Sequence, residues 1–373
     1  MPLAVELASS RSRQWLLSTL KRGHRKLIGR WRRLSRWEFW PPYLFYPPVV
    51  AYIIYLGIKF RSWTLFTAAN PAIPAGGFVG ESKHQILERL KNAGPWLPCF
   101  TLLPLGTFDQ RLAQAEEFIK THALQFPVVL KPDAGQRGSG VSVVLSSEQM
   151  REYLTHARFP LILQEYVAGQ EFGVFYYRYP GDARGRVFSV TEKRMPVLIG
   201  DGNCTLEELI LADDRAVCMS DFYLRKNSER ARHVPTAGER VQLVEIGTHC
   251  RGAIFLDGGD TVNPALEEAI EQIVRCLEGF FFGRLDIRAP SRRDFMEGRN
   301  LKILELNGVT SEATHIYDPK FSLLDAYRVL FQQWRIAFEI GAINYTRGVR
   351  PVSVADLIRT AREYQSHSRR HPQ

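Results

Sequence analysis

Two apolar patterns divide the chain. In the first stretch, Leu16, Leu20, Leu27, Trp31 and Leu34 recur at intervals of four, seven, four and three, the spacing of one helix face. Lys and Arg fill the other faces, and Gly23 and Gly29 weaken the helix. From Phe39 to Ile58 no residue is charged, and Trp37, Trp40, Tyr43, Phe45, Tyr46, Tyr52 and Tyr55 form an aromatic belt interrupted by Pro41, Pro42, Pro47 and Pro48. Proline removes a donor and clashes with the preceding turn, so a straight helix is expected only from Val49. Up to Ile58 it would rise about 15 Å, roughly half the hydrocarbon thickness of a bilayer. Such a segment is too short to span a membrane. After Trp63, Thr64 to Thr67 reads as a short strand, followed by a Pro/Gly-rich passage from Asn70 to Gly80.

From Glu81 onward the periods alternate between helix and strand. Helices are expected over Glu81–Ala93, Ala113–His122, Ser147–His156 and Leu323–Ile340, with a frayed tail after Tyr364. Strands are expected over Phe126–Lys131, Val141–Leu145, Leu161–Val167, Phe280–Arg288 and Leu301–Asn307. Period two places Arg284, Asp286 and Arg288 on one face of FFFGRLDIR, and Glu305 and Asn307 on one face of LKILELN.

Three segments carry chemistry. Lys131 ends an apolar strand just before a loop with Gly135, Gly138 and Gly140; exposed amides of such a loop beside a point charge can hold a phosphate, although a plain hairpin has the same look. Lys83, in the first turn of its helix, could reach the same anion or simply be solvated. Glu165, Tyr166 and Val167 end the LILQEYV strand, where extended backbone can meet an adenine edge, and Glu171 could accept from ribose hydroxyls; an ordinary strand exit is the alternative. Asp286, Glu305 and Asn307 offer three oxygen ligands from two strands, the small set that Mg²⁺ takes when phosphates and water complete its octahedron. Asp286 as a structural partner of Arg284 is the alternative, yet acidic residues on apolar strands are expensive unless paired or metal-bound.

In order and spacing, the segments from Glu81 to Asn307 resemble the ATP-grasp superfamily, in particular its carboxylate-amine ligase branch. The resemblance implies an α+β fold in which two α+β subdomains clamp ATP, with one or two Mg²⁺ ions. It implies that Lys83 and Lys131 bind phosphates, Lys131 being a catalytic residue as well, with Gly135, Gly138, Ser139 and Gly140 in the covering loop. QEYVAGQEF would be the adenine clamp and ribose acid, Arg284 the catalytic arginine, and Asp286, Glu305 and Asn307 the metal ligands. TEKRMPVLIGDGN would bring Lys193 or Arg194 near the γ-phosphate. Arg251, and less directly His249, Arg288, Ser311 and His315, are candidates for orienting the substrate carboxylate or amine. The implied reaction activates a carboxylate as an acyl phosphate and joins it to an amine. Phosphotransfer to a final phosphorylated product, and ATP binding without turnover, are the competing readings.

The chain departs from the family in three places: Ser82 stands where an aspartate commonly precedes the first lysine, Gly308-Val309-Thr310-Ser311 replaces a Pro-Gly turn, and the region ahead of Lys83 is short. The expected organisation is a leader over 1–62, a short segment over 63–105, ATP-grasp subdomains over 106–165 and 166–345, and a tail over 346–373.

Charge adds a location to this picture. Residues 1–61 hold 12 Lys/Arg and only Glu6 and Glu38, so their net charge of +10 equals that of the whole 373-residue chain. The body is neutral. A basic helix followed by an aromatic belt suits monotopic attachment to an anionic membrane, with packing of the belt on the body as the alternative. No RNA-binding motif accompanies these charges, so nucleic acid is not the expected partner. Cys99, Cys204, Cys218, Cys250 and Cys276 show no paired spacing and read as buried, reduced thiols, which favours the cytoplasmic side of the membrane. The substrates expected there are a small-molecule or lipid-linked carboxylate and an amine.

Overall fold

The computed structural model describes residues 22–135, 138–244, 247 and 252–368. They divide into two compact units, one of residues 22–47 with 195–254, the other of residues 48–194 with 255–368.

The larger unit is α+β and holds two antiparallel sheets. Strands β1 (Phe100–Leu103), β2 (Val128–Pro132), β3 (Ser142–Val144) and β4 (Leu161–Glu165) form a four-stranded sheet in the order β1-β4-β2-β3. Helices Phe108–Thr121 and Ser147–His156 cover it through Leu112, Ala115, Met150 and Leu154, which pack on Leu103, Val128, Leu130 and Leu163. The first of these helices starts five residues earlier than its apolar period suggested, because Thr107 and Gln110 form a capping box.

Strands β5 (Gln170–Tyr177), β6 (Arg186–Arg194), β9 (Ile254–Asp257), β10 (Phe282–Ala289) and β11 (Lys302–Asn307) form the five-stranded sheet, ordered β11-β10-β5-β6-β9. Strands β7 (Val197–Ile199) and β8 (Arg240–Gln242) belong to the smaller unit. One face of the five-stranded sheet carries Phe172, Val174, Tyr176, Val190, Leu285, Ile287 and Leu306 under the helix Pro264–Arg275, whose Leu266, Ile270, Ile273 and Val274 are fully buried. Each such side chain contributes roughly 1.5–3 kcal/mol on burial. The alternate residues of the same strands form the other face, which is apolar at one end, where Phe175 and Phe282 cluster with Leu65, Phe66 and Phe338, and polar at the end that builds the site.

The segment ahead of Lys83 braces that sheet. Thr64 to Thr67 is not a strand: Leu65–Ala68 is a 3-10 helix, closed by the Thr67 hydroxyl donating to the Thr64 carbonyl and accepting from the Val352 amide. Buried Asn70 donates to the Phe282 carbonyl and accepts the Phe281 and Phe282 amides, so it fixes the start of β10. At Gly77 (φ +81°) a Cβ would lie 2.6 Å from the Gly308 Cα, and the Val309 amide donates to the Gly76 carbonyl. Only glycine permits that approach. The helix Pro47–Lys59 begins two residues before Val49, with proline at its first position, where no amide donor is required. The last helix, Val354–Ser368, continues past Tyr364 where fraying was expected.

The smaller unit is built around the β7–β8 hairpin and the helices Leu206–Ala212 and Ser220–Lys226, with Leu206, Ile210, Tyr223 and Val241 in its core. Residues 22–35 form a helix that packs on it. Trp37 stacks on Phe45, and Glu38 accepts both hydrogen bonds of an Arg215 guanidinium nitrogen at 2.7 and 2.8 Å. Of the described cysteines only Cys218 is buried; Cys99, Cys204 and Cys276 are half-buried, all four are free thiols, and Cys250 lies outside the described residues. Among the described residues no helix is long and apolar enough to cross a membrane.

Candidate active site

Register decides the geometry of the polar face. Across β10 and β11, Asp286 lies directly opposite Glu305, and Arg284 opposite Asn307. On the other side of β10, Asp286 faces Gly173, and Arg288 faces Glu171, which in turn faces Lys193 of β6. Two carboxylates set opposite each other on neighbouring strands repel, so the arrangement persists only with cations around it.

Those cations are in place. The Asp286 carboxylate receives Lys193 Nζ at 3.0 Å and Arg284 Nε at 2.9 Å, and Lys193 also reaches Glu171 at 2.8 Å. Gly173 sits under this crossing: a Cβ there would make a tight contact of 3.3 Å with Arg284 Cδ and an ordinary one of 3.5 Å with Asp286 Oδ1. Burial opposes ionisation of Asp286, but Arg284 and Lys193 outweigh it and hold the carboxyl below its usual range. Glu305 is held down in the same manner, with Lys83 the main opponent of burial and Asp286 acting against it. Lys193 moves the other way, raised by Asp286 and Glu171 against desolvation.

Lys131 is different. It is 7 % exposed, and its Nζ donates to the Leu304 carbonyl at 3.0 Å, next to Glu305. Desolvation is the largest influence and lowers its pKa to about 8, with Glu305 opposing and Lys83 reinforcing the drop. A lysine so placed gains most from an arriving anion, which restores the favourable partner that burial removed.

Lys83 ties the two sheets together. Its Nζ donates to the Gly135 carbonyl at 2.6 Å and pairs with Glu305 at 3.1 Å. Ser82, where the family commonly has an aspartate, caps the helix by accepting from the Gln85 amide and donates to Asp133 Oδ1 at 2.9 Å. The same Asp133 oxygen accepts the His84 amide, so the start of the helix and the start of the glycine loop are held as one piece. Gly138 and Gly140 in that loop have φ of +72° and +68°; Ser139 between them is half-buried. The Tyr153 hydroxyl donates to the Gly140 carbonyl.

At the far end of the sheet, Arg288 donates to Glu171 at 3.1 Å and to the Val167 carbonyl at 2.6 Å, with its guanidinium 5.6 Å from the Tyr166 ring. The Glu165 amide donates to the Cys99 carbonyl and its carboxylate accepts the Cys99 amide, so this residue joins β4 to the edge of β1. Arg288 thus stands with the expected adenine and ribose residues, two positions along β10 from Asp286 and on the opposite side from Arg284.

The other substrate candidates separate. The Ser311 hydroxyl donates to the Gly308 carbonyl, closing the turn after Asn307. His315 is 7 % exposed, packs edge-on against Phe321 at 5.1 Å, and is held below its ordinary pKa by burial. Arg251 and His249 lie outside the described residues. Of the pair Lys193 and Arg194, strand alternation puts Lys193 into the site, while Arg194 is exposed and pairs with Glu192 at 2.8 Å.

Residues not singled out in the sequence also line this end. Arg284 donates to the Glu312 carbonyl at 3.3 Å, Tyr317 donates to the Glu312 carboxylate at 3.1 Å, and the Phe255 ring lies 5.9 Å from Lys193 Nζ. Gly173 was legible in principle, since an isolated glycine inside a strand marks a close approach. Asn70 and Glu312 gave no such signal.

The donor set fits Mg²⁺. Asp286, Glu305 and Asn307 are all oxygen donors from paired strands, and the Asn307 side-chain nitrogen is buried without a hydrogen-bond partner. Among the described residues there is no cluster of three or more His, Cys, Asp or Glu able to hold a metal by themselves. Two carboxylates and an amide leave the remaining positions to phosphate and water, as Mg²⁺ prefers.

No family model matches the sequence, and no curated protein matches it. Solved structures do. The chain is similar to a bifunctional glutathione synthetase from Pasteurella multocida at 15% identity and a TM-score of 0.37, over 67% of this chain and 36% of that one. It is similar to D-alanine–D-alanine ligase from Bacillus anthracis at 13% identity and a TM-score of 0.41, over 72% and 68% of the two chains. VanG D-Ala:D-Ser ligase from Enterococcus faecalis matches at 13% identity and a TM-score of 0.40, over 70% and 61%. The chain therefore spans little more than a third of the glutathione synthetase. In the order of its motifs, the chain resembles the ATP-grasp carboxylate-amine ligases.

Proposed function

We propose that this protein is an ATP-dependent ligase that activates a carboxylate as an acyl phosphate and joins it to an amine. The observation that carries the proposal is the register pairing of Asp286 with Glu305 and of Arg284 with Asn307 on one polar face, ringed by Lys83, Lys131 and Lys193. A fold has no structural need for opposed carboxylates on paired strands. A nucleotide site does.

In this reading Lys131 and Lys83 neutralise phosphate charge, and the loop from Gly135 to Gly140 supplies amides to the same anion. Asp286, Glu305 and Asn307 would hold Mg²⁺, whose charge would offset that of the transferred group. Arg284, planar and permanently charged, faces the end of the sheet where the acyl phosphate would form and stabilises the oxyanion that develops there. The substrate carboxylate oxygen attacks the γ-phosphorus and ADP leaves; the amine nitrogen then attacks the acyl carbon, inorganic phosphate departs with the original carboxylate oxygen, and the amine proton is released.

The carboxylate and amine are small-molecule or lipid-linked, and the basic leader favours reaction at an anionic membrane face on the cytoplasmic side. The test is phosphate release by the purified protein with Mg²⁺, ATP and pools of carboxylates and amines, one pool carrying ¹⁸O in the carboxylate. Label in inorganic phosphate, dependent on both pools, is the expected result. Label retained on a phosphorylated product would make the protein a phosphotransferase, and ATP binding without release under every pool would overturn catalysis.

A further inference from the structure

The helix of residues 22–35 lies on its unit the wrong way round for an ordinary amphipathic helix. At 3.6 residues per turn, Leu27, Trp31 and Leu34 share one face and Arg22, Gly29 and Arg32 the opposite one, with Lys26 at its edge. It is the cationic face that packs. Arg22 pairs with Glu207 at 2.5 Å, Lys26 with Asp221 at 2.9 Å, and Arg32 with Asp214. Gly29 marks the closest approach, since a Cβ there would lie 2.5 Å from the Val217 carbonyl oxygen. The apolar stripe points outward: Leu27 is 54 % exposed, Trp31 70 % and Leu34 59 %. Exposed Arg30 and His24 flank it.

We infer that this outward stripe is the surface by which the protein docks onto an anionic phospholipid bilayer, with Trp31 at the interface and Arg30 on headgroups. The inference names the face for the membrane placement proposed above and rests on it. Charge selects the occupant. In a two-fold dimer through this stripe, the flanking cations of one copy would meet those of the other, which disfavours a self-complementary interface. An anionic headgroup layer offers the opposite sign together with an apolar layer at the depth a tryptophan and two leucines reach. The other unit supplies an independent sign of the same preference. Its helix Pro47–Lys59 leaves Val50, Ile54 and Ile58 exposed at intervals of four, just ahead of Lys59 and Arg61.

The test is co-sedimentation of the full chain with phosphatidylcholine vesicles containing about one-third phosphatidylserine, for wild type and for the Leu27→Ser/Trp31→Ser/Leu34→Ser variant. All three positions are surface positions, so the fold should survive, and an unchanged melting temperature and ATP affinity establish that it does. The expected result is wild-type binding that weakens with salt and a drop of at least about tenfold in the variant. Wild-type and variant binding of equal strength would overturn the inference while leaving membrane placement standing. No wild-type binding to any anionic vesicle would overturn both. A wild-type dimer in solution that the variant dissolves would assign the stripe to a second copy and overturn it as well. ATP-dependent phosphate release is read separately, so failure of the ligase chemistry is not confused with any of these outcomes.

Discussion

The polar face of the five-stranded sheet and the basic helix of residues 22–35 both gather cations against carboxylates, yet they do so in opposite settings. In the sheet the pairs are buried: Asp286 is 7 % exposed and Lys193 8 %. Each ion there depends on its neighbours because water cannot replace them. On the helix, Asp214 and Arg32 have side chains 71% and 41% exposed, and water stands ready on every side. Removing one partner in the first setting leaves a buried charge uncompensated, which costs about 3–5 kcal/mol. Removing one in the second costs about 0–1 kcal/mol. The same pairing of charges thus builds a buried network in one region and fastens a surface helix in the other.

The largest effect should come from the sheet. Glu305→Ala and Asp286→Asn are each expected to lower ATP-dependent phosphate release by at least about 10²–10³-fold, measured alongside circular dichroism to confirm folding. Turnover within tenfold of wild type would show that this face is a structural ion network and erase the contrast.

Next comes Lys131. In the free protein its pKa lies about 8, well below the usual lysine value. Above pH 8 the site is therefore expected to take up a proton as ATP binds, and ATP affinity should fall by up to about tenfold per pH unit. The Lys131→Met variant should bind ATP about 10–100-fold more weakly at neutral pH and lose this pH slope. The sign for folding is opposite. Between pH 8 and about 10.4 the unfolded chain binds a proton that the folded chain does not, so this group makes the nucleotide-free protein more stable as pH rises. Calorimetry in buffers of different ionisation heat reads the proton, and a pH-independent ATP affinity would refute it.

At the helix, shape should outweigh charge. Gly29→Ala places a methyl against the Val217 carbonyl and is expected to destabilise by about 1–3 kcal/mol, seen in chemical denaturation of the full chain. Arg32→Gln, which only breaks an exposed pair, should move the melting temperature by no more than about 2 °C. A larger shift for Arg32→Gln than for Gly29→Ala would reverse the assignment of what holds the helix.

Much of the site was legible from alternation alone. Period two on FFFGRLDIR and LKILELN already grouped Arg284, Asp286, Glu305 and Asn307, because a strand has no freedom to turn one of these residues away from the others. The expectation of a strand at Thr64–Thr67 failed for a reason of context: the Thr67 hydroxyl donates to the local Thr64 carbonyl and accepts the distant Val352 amide, and these bonds hold a 3-10 turn. Lys193 and Arg194 could not be separated without the register that sets Lys193 opposite Glu171. Asn70 fixes β10 from 212 positions away in the chain, a contact with no local signature.

The leader shows the limit most clearly. Its sequence showed an amphipathic helix pattern from Leu16 to Leu34 with one apolar face, since both follow from spacing; the described helix covers residues 22–35. Which face would turn inward was beyond it, and the ordinary expectation of apolar residues inside is reversed here. Glu207, Asp214 and Asp221, some 180 to 195 positions distant, draw the cationic side onto the protein, and Gly29 lets the backbones meet. Periodicity is a property of neighbouring residues, but direction is set by what lies across the interface, and only the folded chain brings that partner into reach.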